Sequence, residues 1–156
     1  MESINNVLFL KTNSGKKGEG MPVVRNPQFY FREGFCWIDV NSTYLKARIK
    51  SKGIFDVLSM SLFTLTKIPD WYYVCLINSE LISLYVDNFI NNTSHFQIND
   101  ARQLPIIIPN NEQLSELKSI YDLFLSYKQN KVETSKSKEE FNQCKLDSWI
   151  ENLYLI

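Results

Sequence analysis

Over residues 44–50 apolar and polar side chains alternate, putting Leu45, Ala47 and Ile49 on one side of an extended chain and Lys46, Arg48 and Lys50 on the other. This predicts a half-buried strand with a basic outer face. Upstream, Val7-Leu8-Phe9-Leu10 reads as a short strand running into a small, locally basic loop over residues 11–20. The aromatic, β-prone stretch 28–40 is broken at Arg32-Glu33-Gly34, which predicts a hairpin with Gly34 supplying a positive φ. Gly53 then turns the chain into two more strand candidates, residues 54–58 and 62–66, joined by a Ser-Met-Ser link.

The periodicity changes after Pro69. With Asp70 as N-cap, Val74, Ile77, Leu81, Leu84 and Asn88 follow at a 3,4 spacing that buries one helical face, and Asn78-Ser79 is placed to split this helix in two. Residues 95–99 alternate again, with Phe96 and Ile98 inward and His95, Gln97 and Asn99 sharing the opposite face. Residues 104–108 read as a buried strand. After Pro109, Asn110 or Asn111 can cap a helix carrying Leu114, Leu117, Tyr121, Phe124 and Lys128; a polar hinge over 128–138 separates it from a last helix over about 138–154. The expected fold is α+β: a mixed or antiparallel β-sheet with packed helices and a helical C-terminal tail. The organisation expected is a flexible N-terminal segment 1–21, a body 22–128, and a hinge with C-terminal helix 129–156.

Composition narrows the function classes. The 156 residues suit one domain, and 44% hydrophobic with 13% aromatic residues argues for a packed interior. Cys36, Cys75 and Cys144 form no C-x-x-C pair, so zinc and redox disulfides are not supported and reduced core thiols are expected. No export signal or membrane span is visible, which points to the cytoplasm and deprives the sequons at Asn41 and Asn91 of meaning. Lys and Arg together number 17, as do Asp and Glu, so attraction to a polyanion must come from one local face or a linked neighbour.

Catalytic motifs fail one by one. Gly15-Lys16-Lys17-Gly18-Glu19-Gly20 is followed by Met21-Pro22 and not by the Ser/Thr-led helix that a phosphate loop needs. A methyltransferase needs a Gly-rich cofactor turn and an Asn/Asp-Pro-Pro-aromatic element; neither is present. Asp70 with Glu116 and Lys118 has the residue types of a metal-dependent nuclease, but Glu116 and Lys118 fall on different sides of a predicted helix. His95 is the only histidine and lacks a spaced partner. What remains is polar strand faces: His95, Gln97, Asn99 and Arg102 have the groups for paired hydrogen bonds to base edges, and Lys46, Arg48 and Lys50 suit phosphates.

Three stretches carry a family likeness: the leucine-rich helix ending in Leu76-Ile77-Asn78-Ser79, the aromatic-polar segment His95-Phe96-Gln97-Ile98-Asn99, and Leu104-Pro105-Ile106-Ile107-Ile108-Pro109 leading into a helix, preceded by the aromatic stretch 26–37. In this order they resemble the TaqI-like C-terminal specificity domain of adenine-specific DNA methyltransferases of restriction-modification systems, over residues 22–128. The resemblance implies a DNA target recognition domain that reads a short sequence in double-stranded DNA and presents an adenine to a methyltransferase domain or subunit, which flips it out. S-adenosylmethionine would belong to that catalytic part; no cofactor is expected in this chain, which would be a fragment or a split subunit. Under this reading Arg32, His95, Gln97, Asn99 and Arg102 approach base edges, while Lys16, Lys17, Lys46, Arg48, Lys50 and Lys52 contact phosphates. The alternative is a protein–protein interaction module without DNA contact, which the zero net charge suits.

Overall fold

In the computed structural model, the residues described are 27–40, 44–54, 59–129 and 136–155. The fold is α+β. Its sheet has three antiparallel strands, β1 (Gly34–Ile38), β2 (Ala47–Lys50) and β3 (Ser59–Leu62), in the order β2-β1-β3. Trp37 lies opposite Ala47 on one side and Met60 on the other, and Phe35 opposite Ile49 and Leu62. One sheet face receives the helices: Phe35 stacks on Tyr73 at 5.3 Å, and Trp37 meets Phe96 at 5.5 Å while its indole N–H donates to the Phe96 carbonyl at 2.8 Å.

The helices are α1 (Asp70–Ile77), α2 (Glu80–Tyr85), a one-turn α3 (Ile98–Ala101), α4 (Asn111–Gln129) and α5 (Lys136–Tyr154). A π-helical turn, Val86–Ile90, continues α2. The expected break falls where Asn78-Ser79 placed it: the Ser79 hydroxyl accepts from the Ile82 N–H and starts α2. The break also changes which side is buried. α1 is apolar nearly all round, and beyond Ser79 the buried positions are Ile82, Ser83 and Val86, so Leu84 is half-exposed and the single stripe predicted through Leu84 and Asn88 does not form. α4 begins with a reciprocal cap, Gln113 N–H to Asn110 Oδ1 at 2.8 Å and Asn110 N–H to Gln113 Oε1 at 2.9 Å. It packs on α1 and α5, and α5 reaches back to α2.

Several local expectations are corrected. Residues 27–40 form no hairpin: Pro27–Phe29 is a 3-10 turn, and Phe31, not Gly34, takes the positive φ, 60°, its N–H donating to the Gly53 carbonyl at 3.0 Å. β3 occupies the Ser59-Met60-Ser61 stretch expected to be a link; residues 63–66 lie outside any strand, and 55–58, with the candidate strand 7–10, lie outside the described residues. Residues 104–108 belong to no strand, and Ile106 and Ile108 are exposed, because Pro105 and Pro109 cannot donate to a central ladder. Cys36 and Cys75 are buried free thiols as expected, whereas Cys144 is exposed on α5.

Asp70 is the first residue of α1, behind an N-cap at Pro69, and its Oδ1 is buried with no hydrogen-bond partner among the described residues. Burial raises its pKa and the Glu33 charge adds to this, against a lowering hydrogen bond from the Thr64 backbone. The folded chain therefore holds this proton more tightly than the unfolded chain, and the ionised carboxylate opposes folding at neutral pH. Asp70→Asn is expected to raise Tm at pH 7 in a thermal melt. The gain should shrink as pH falls through the folded value and disappear below the ordinary value of 3.8.

Candidate nucleic-acid interface

β1 ends at Ile38 and is followed by Asp39 and Val40, and the chain returns to this end of the sheet at residues 91–97. Val40 and His95 form an isolated antiparallel bridge, and the Phe96 N–H donates to the Asp39 carbonyl at 2.8 Å. The segment is shaped by one side chain. The Asn91 amide donates to the His95 carbonyl at 2.8 Å and to Asp100 Oδ2 at 3.1 Å, and its Oδ1 accepts from both the N–H and the hydroxyl of Thr93 at 2.9 and 2.7 Å. Asp100 Oδ2 in turn accepts the Gln97 N–H at 2.8 Å, closing the first turn of α3. Phe96, 2% exposed, anchors the segment in the core.

Four sequence-predicted base-edge residues sit on this ordered segment, all exposed: His95, Gln97, Asn99 and Arg102. They do not share a strand face as predicted. Gln97 precedes α3 and Asn99 lies within it, because the Asp100 side chain captures the backbone that a strand would have paired. The His95 ring places Nδ1 3.1 Å from Asp39 Oδ2, with the histidine side chain 54% and the aspartate 14% exposed. That contact fixes the ring orientation and leaves Nε2 as the ring atom turned to an outside partner. Arg102 donates to Asn99 Oδ1 at 3.2 Å, a link that orients both.

The predicted phosphate contacts divide. Lys46 and Arg48 are exposed on the sheet face away from the helices, Arg48 opposite Cys36. Tyr44 and Leu45, just before Lys46, line a hollow of about 210 Å³ whose other wall includes Asn92, Thr93 and His95, so the start of β2 adjoins the His95 segment. Lys50 is corrected: it is 9% exposed, its ammonium donates to the Arg32 and Gly53 carbonyls at 3.1 and 3.2 Å, and it lies 5.3 Å from the Phe63 ring centre. It ties the start of β1 to the turn after β2 and is not offered to a ligand. Alternation put it outside; two backbone carbonyls drew it in.

Arg32 and Lys52 are exposed but stand at the other end of β1. The Arg32 guanidinium lies 5.5 Å from the centre of the Phe29 ring, and Lys52 pairs with Glu33 at 3.8 Å. Five residues of extended chain, Gly34 to Ile38, separate this end from the His95 end, roughly 17 Å. Arg32 is therefore not gathered with the other base-edge candidates. Lys16 and Lys17 lie outside the described residues.

Among the described residues, no activated nucleophile accompanies these groups. Burial pushes the Cys75 thiol up to about 12, which leaves it an inert core group. Glu116 accepts the Trp149 indole N–H at 3.2 Å and Lys118 pairs with Asp122, so both stay on helix surfaces remote from nuclease geometry. Among the described residues, no three His, Cys, Asp or Glu side chains are grouped to hold a metal, and no helix is long and apolar enough to cross a membrane. Asn91, Tyr44 and Thr93 were not singled out from sequence; the signal that could have found Asn91 is an Asn-x-Thr turn two residues ahead of the histidine. Comparison with family models gives no match, and neither does comparison with curated proteins.

Proposed function

We propose that this chain is the DNA target recognition (specificity) domain of an adenine-specific DNA methyltransferase of the restriction-modification type, working with a catalytic domain or subunit that binds S-adenosylmethionine. The observation that supports it most is the cross-braced segment 91–102, which holds His95, Gln97, Asn99 and Arg102 outward beside the start of β2. Side chains fixed before contact lose less entropy on binding, and Gln, Asn and Arg match the donor and acceptor pattern of purine edges in the major groove. Lys46 and Arg48 on the neighbouring strand supply phosphate contacts that set register without reading sequence.

The test is DNA binding by fluorescence anisotropy against salt concentration. Lys46→Glu with Arg48→Glu is expected to weaken binding at least tenfold at low salt and to reduce the slope of log K on log salt by about 2. Both side chains are exposed, so the melt should not move. Unchanged affinity and slope in a folded double variant would reject DNA reading. That outcome is also what a protein–protein interaction module predicts, the reading that zero net charge and exposed Phe89 and Phe141 favour. Lys50→Glu belongs outside this experiment, because its ammonium is part of the fold.

A further inference from the structure

His95 is the only histidine of the chain, and its backbone is pinned from three sides. Its carbonyl accepts the Asn91 amide at 2.8 Å, its N–H donates to the Thr93 hydroxyl at 3.3 Å, and it bridges Val40 at the end of the sheet. The next residue, Phe96, donates its N–H to the Asp39 carbonyl, so the carboxylate and the imidazole are carried on two backbones already bonded to each other. Bringing the two side chains together therefore costs little ordering beyond one rotamer each.

The pairing of Nδ1 with Asp39 Oδ2 decides where the ring carries its proton. An ionised carboxylate has no proton to give, so a ring nitrogen 3.1 Å from one is the donor. Asp39 is mostly sheltered from water and the ring is half-exposed, so this contact holds the inner side of the imidazole. In the neutral ring one nitrogen donates and the other accepts; with the proton on Nδ1, Nε2 keeps its lone pair and faces outward. A free histidine side chain in water favours the opposite tautomer, with the proton on Nε2, so the acceptor form is one that the fold selects.

We infer that Asp39 is a positioning residue that fixes His95 as a hydrogen-bond acceptor, and that His95 therefore reads an exocyclic amino group on a base edge, adenine N6 or cytosine N4. The inference rests on the proposed DNA reading and adds the polarity of one contact to it. In the major groove those two amino groups are the donors; guanine offers only N7 and O6, and thymine O4 and a methyl group. A lone pair aimed at guanine or thymine meets another acceptor, so one position of the target is confined to adenine or cytosine on the strand that faces His95. The neighbouring side chains cannot impose this choice, because Gln97 and Asn99 carry both donors and acceptors and Arg102 carries donors alone.

Imidazole NMR tests the tautomer and DNA selection tests the reading, both on the full chain. One histidine gives one imidazole, so the long-range proton–nitrogen correlations belong to His95 without ambiguity. At a pH where the ring is neutral the proton is expected on Nδ1. Asp39→Ala should move it toward Nε2, and Asp39→Asn, whose amide oxygen still accepts, should return it to Nδ1. Duplexes selected from a random pool should carry one position confined to adenine or cytosine. Replacing that base by its analogue without the amino group, purine or 2-pyrimidinone, should weaken binding by the parent roughly tenfold and leave the affinity of His95→Ala unchanged. Asp39→Ala should relax selection at the same position, with Asp39→Asn restoring it. A parent ring protonated on Nε2, or a tautomer indifferent to Asp39→Ala, would overturn the inference and leave DNA reading untouched. So would a selected sequence in which no position depends on both His95 and an amino group. Failure to select any sequence would reject DNA reading itself, and the inference would fall with it.

Discussion

Gly34→Ala should cost the fold at or beyond the upper end of the about 1–3 kcal/mol usual for overpacking. A Cβ built at Gly34 would stand 2.3 Å from the Leu62 carbonyl oxygen and 3.0 Å from a ring carbon of Phe63. The first of these atoms is backbone of β3, so no rotamer change can clear it. Relief requires moving β3 away from β1, and β1 is the central strand on which both neighbours pair. For a chain of this size, about 3 kcal/mol corresponds to a fall in Tm of roughly 6–12 °C. Gly53→Ala is the control, because its Cβ would meet nothing closer than 3.9 Å. Urea unfolding of both variants measures the difference; a Gly34→Ala chain within 0.5 kcal/mol of its parent would show that β3 is not held where described.

Gly34 is needed for a different reason from the one its local sequence suggests. A glycine after Arg-Glu between aromatic runs suggests a turn with positive φ, but what is required here is room for the β3 backbone, a non-local condition. The positive φ went to Phe31, held by a hydrogen bond to Gly53. Features set by neighbours in the chain were legible: the break at Asn78-Ser79, the cap at Asn110, and the last helix. Alternation over 44–50 gave the strand and the exposure of Lys46 and Arg48, then failed at Ile49, which is 44% exposed, and at Lys50, whose environment comes from Arg32 and Gly53.

The candidate site shows the same division. That residues 95–102 would carry polar groups outward was readable from residue type. That they would do so from a braced loop and a one-turn helix was not, because the deciding partners, Asn91 and Asp100, act through side chain to backbone hydrogen bonds that no periodicity records. Pairing of His95 with Asp39 bridges 56 positions of chain. Nothing local announces it.

Asn78→Ala is expected to destabilise the chain by about 2–4 kcal/mol, by stranding buried backbone groups on β2. The Asn78 amide is a substitute neighbour for this edge strand: its Oδ1 accepts the Ala47 N–H at 2.7 Å and its Nδ2 donates to the Ala47 carbonyl at 2.9 Å. The Ser83 hydroxyl does half as much for Leu45, accepting its N–H at 3.1 Å. These are the outward groups of β2, since Ala47 faces Trp37 on the β1 side without exchanging hydrogen bonds with it in the antiparallel register. Alanine leaves both Ala47 groups unpaired against the α1–α2 junction, where water cannot readily replace the lost amide. Asn78→Asp sharpens the test, because it can accept the N–H but sets a carboxylate oxygen against the Ala47 carbonyl; it should be at least as damaging. Hydrogen exchange at the Ala47 amide and urea unfolding provide the measurements. Lys46 and Arg48 flank Ala47, so the variant should also weaken DNA binding under the proposed function, and partial recovery at low temperature would trace that loss to a loosened β2. An Ala47 amide that exchanges as slowly in Asn78→Ala as in the parent would contradict this account of how β2 is held.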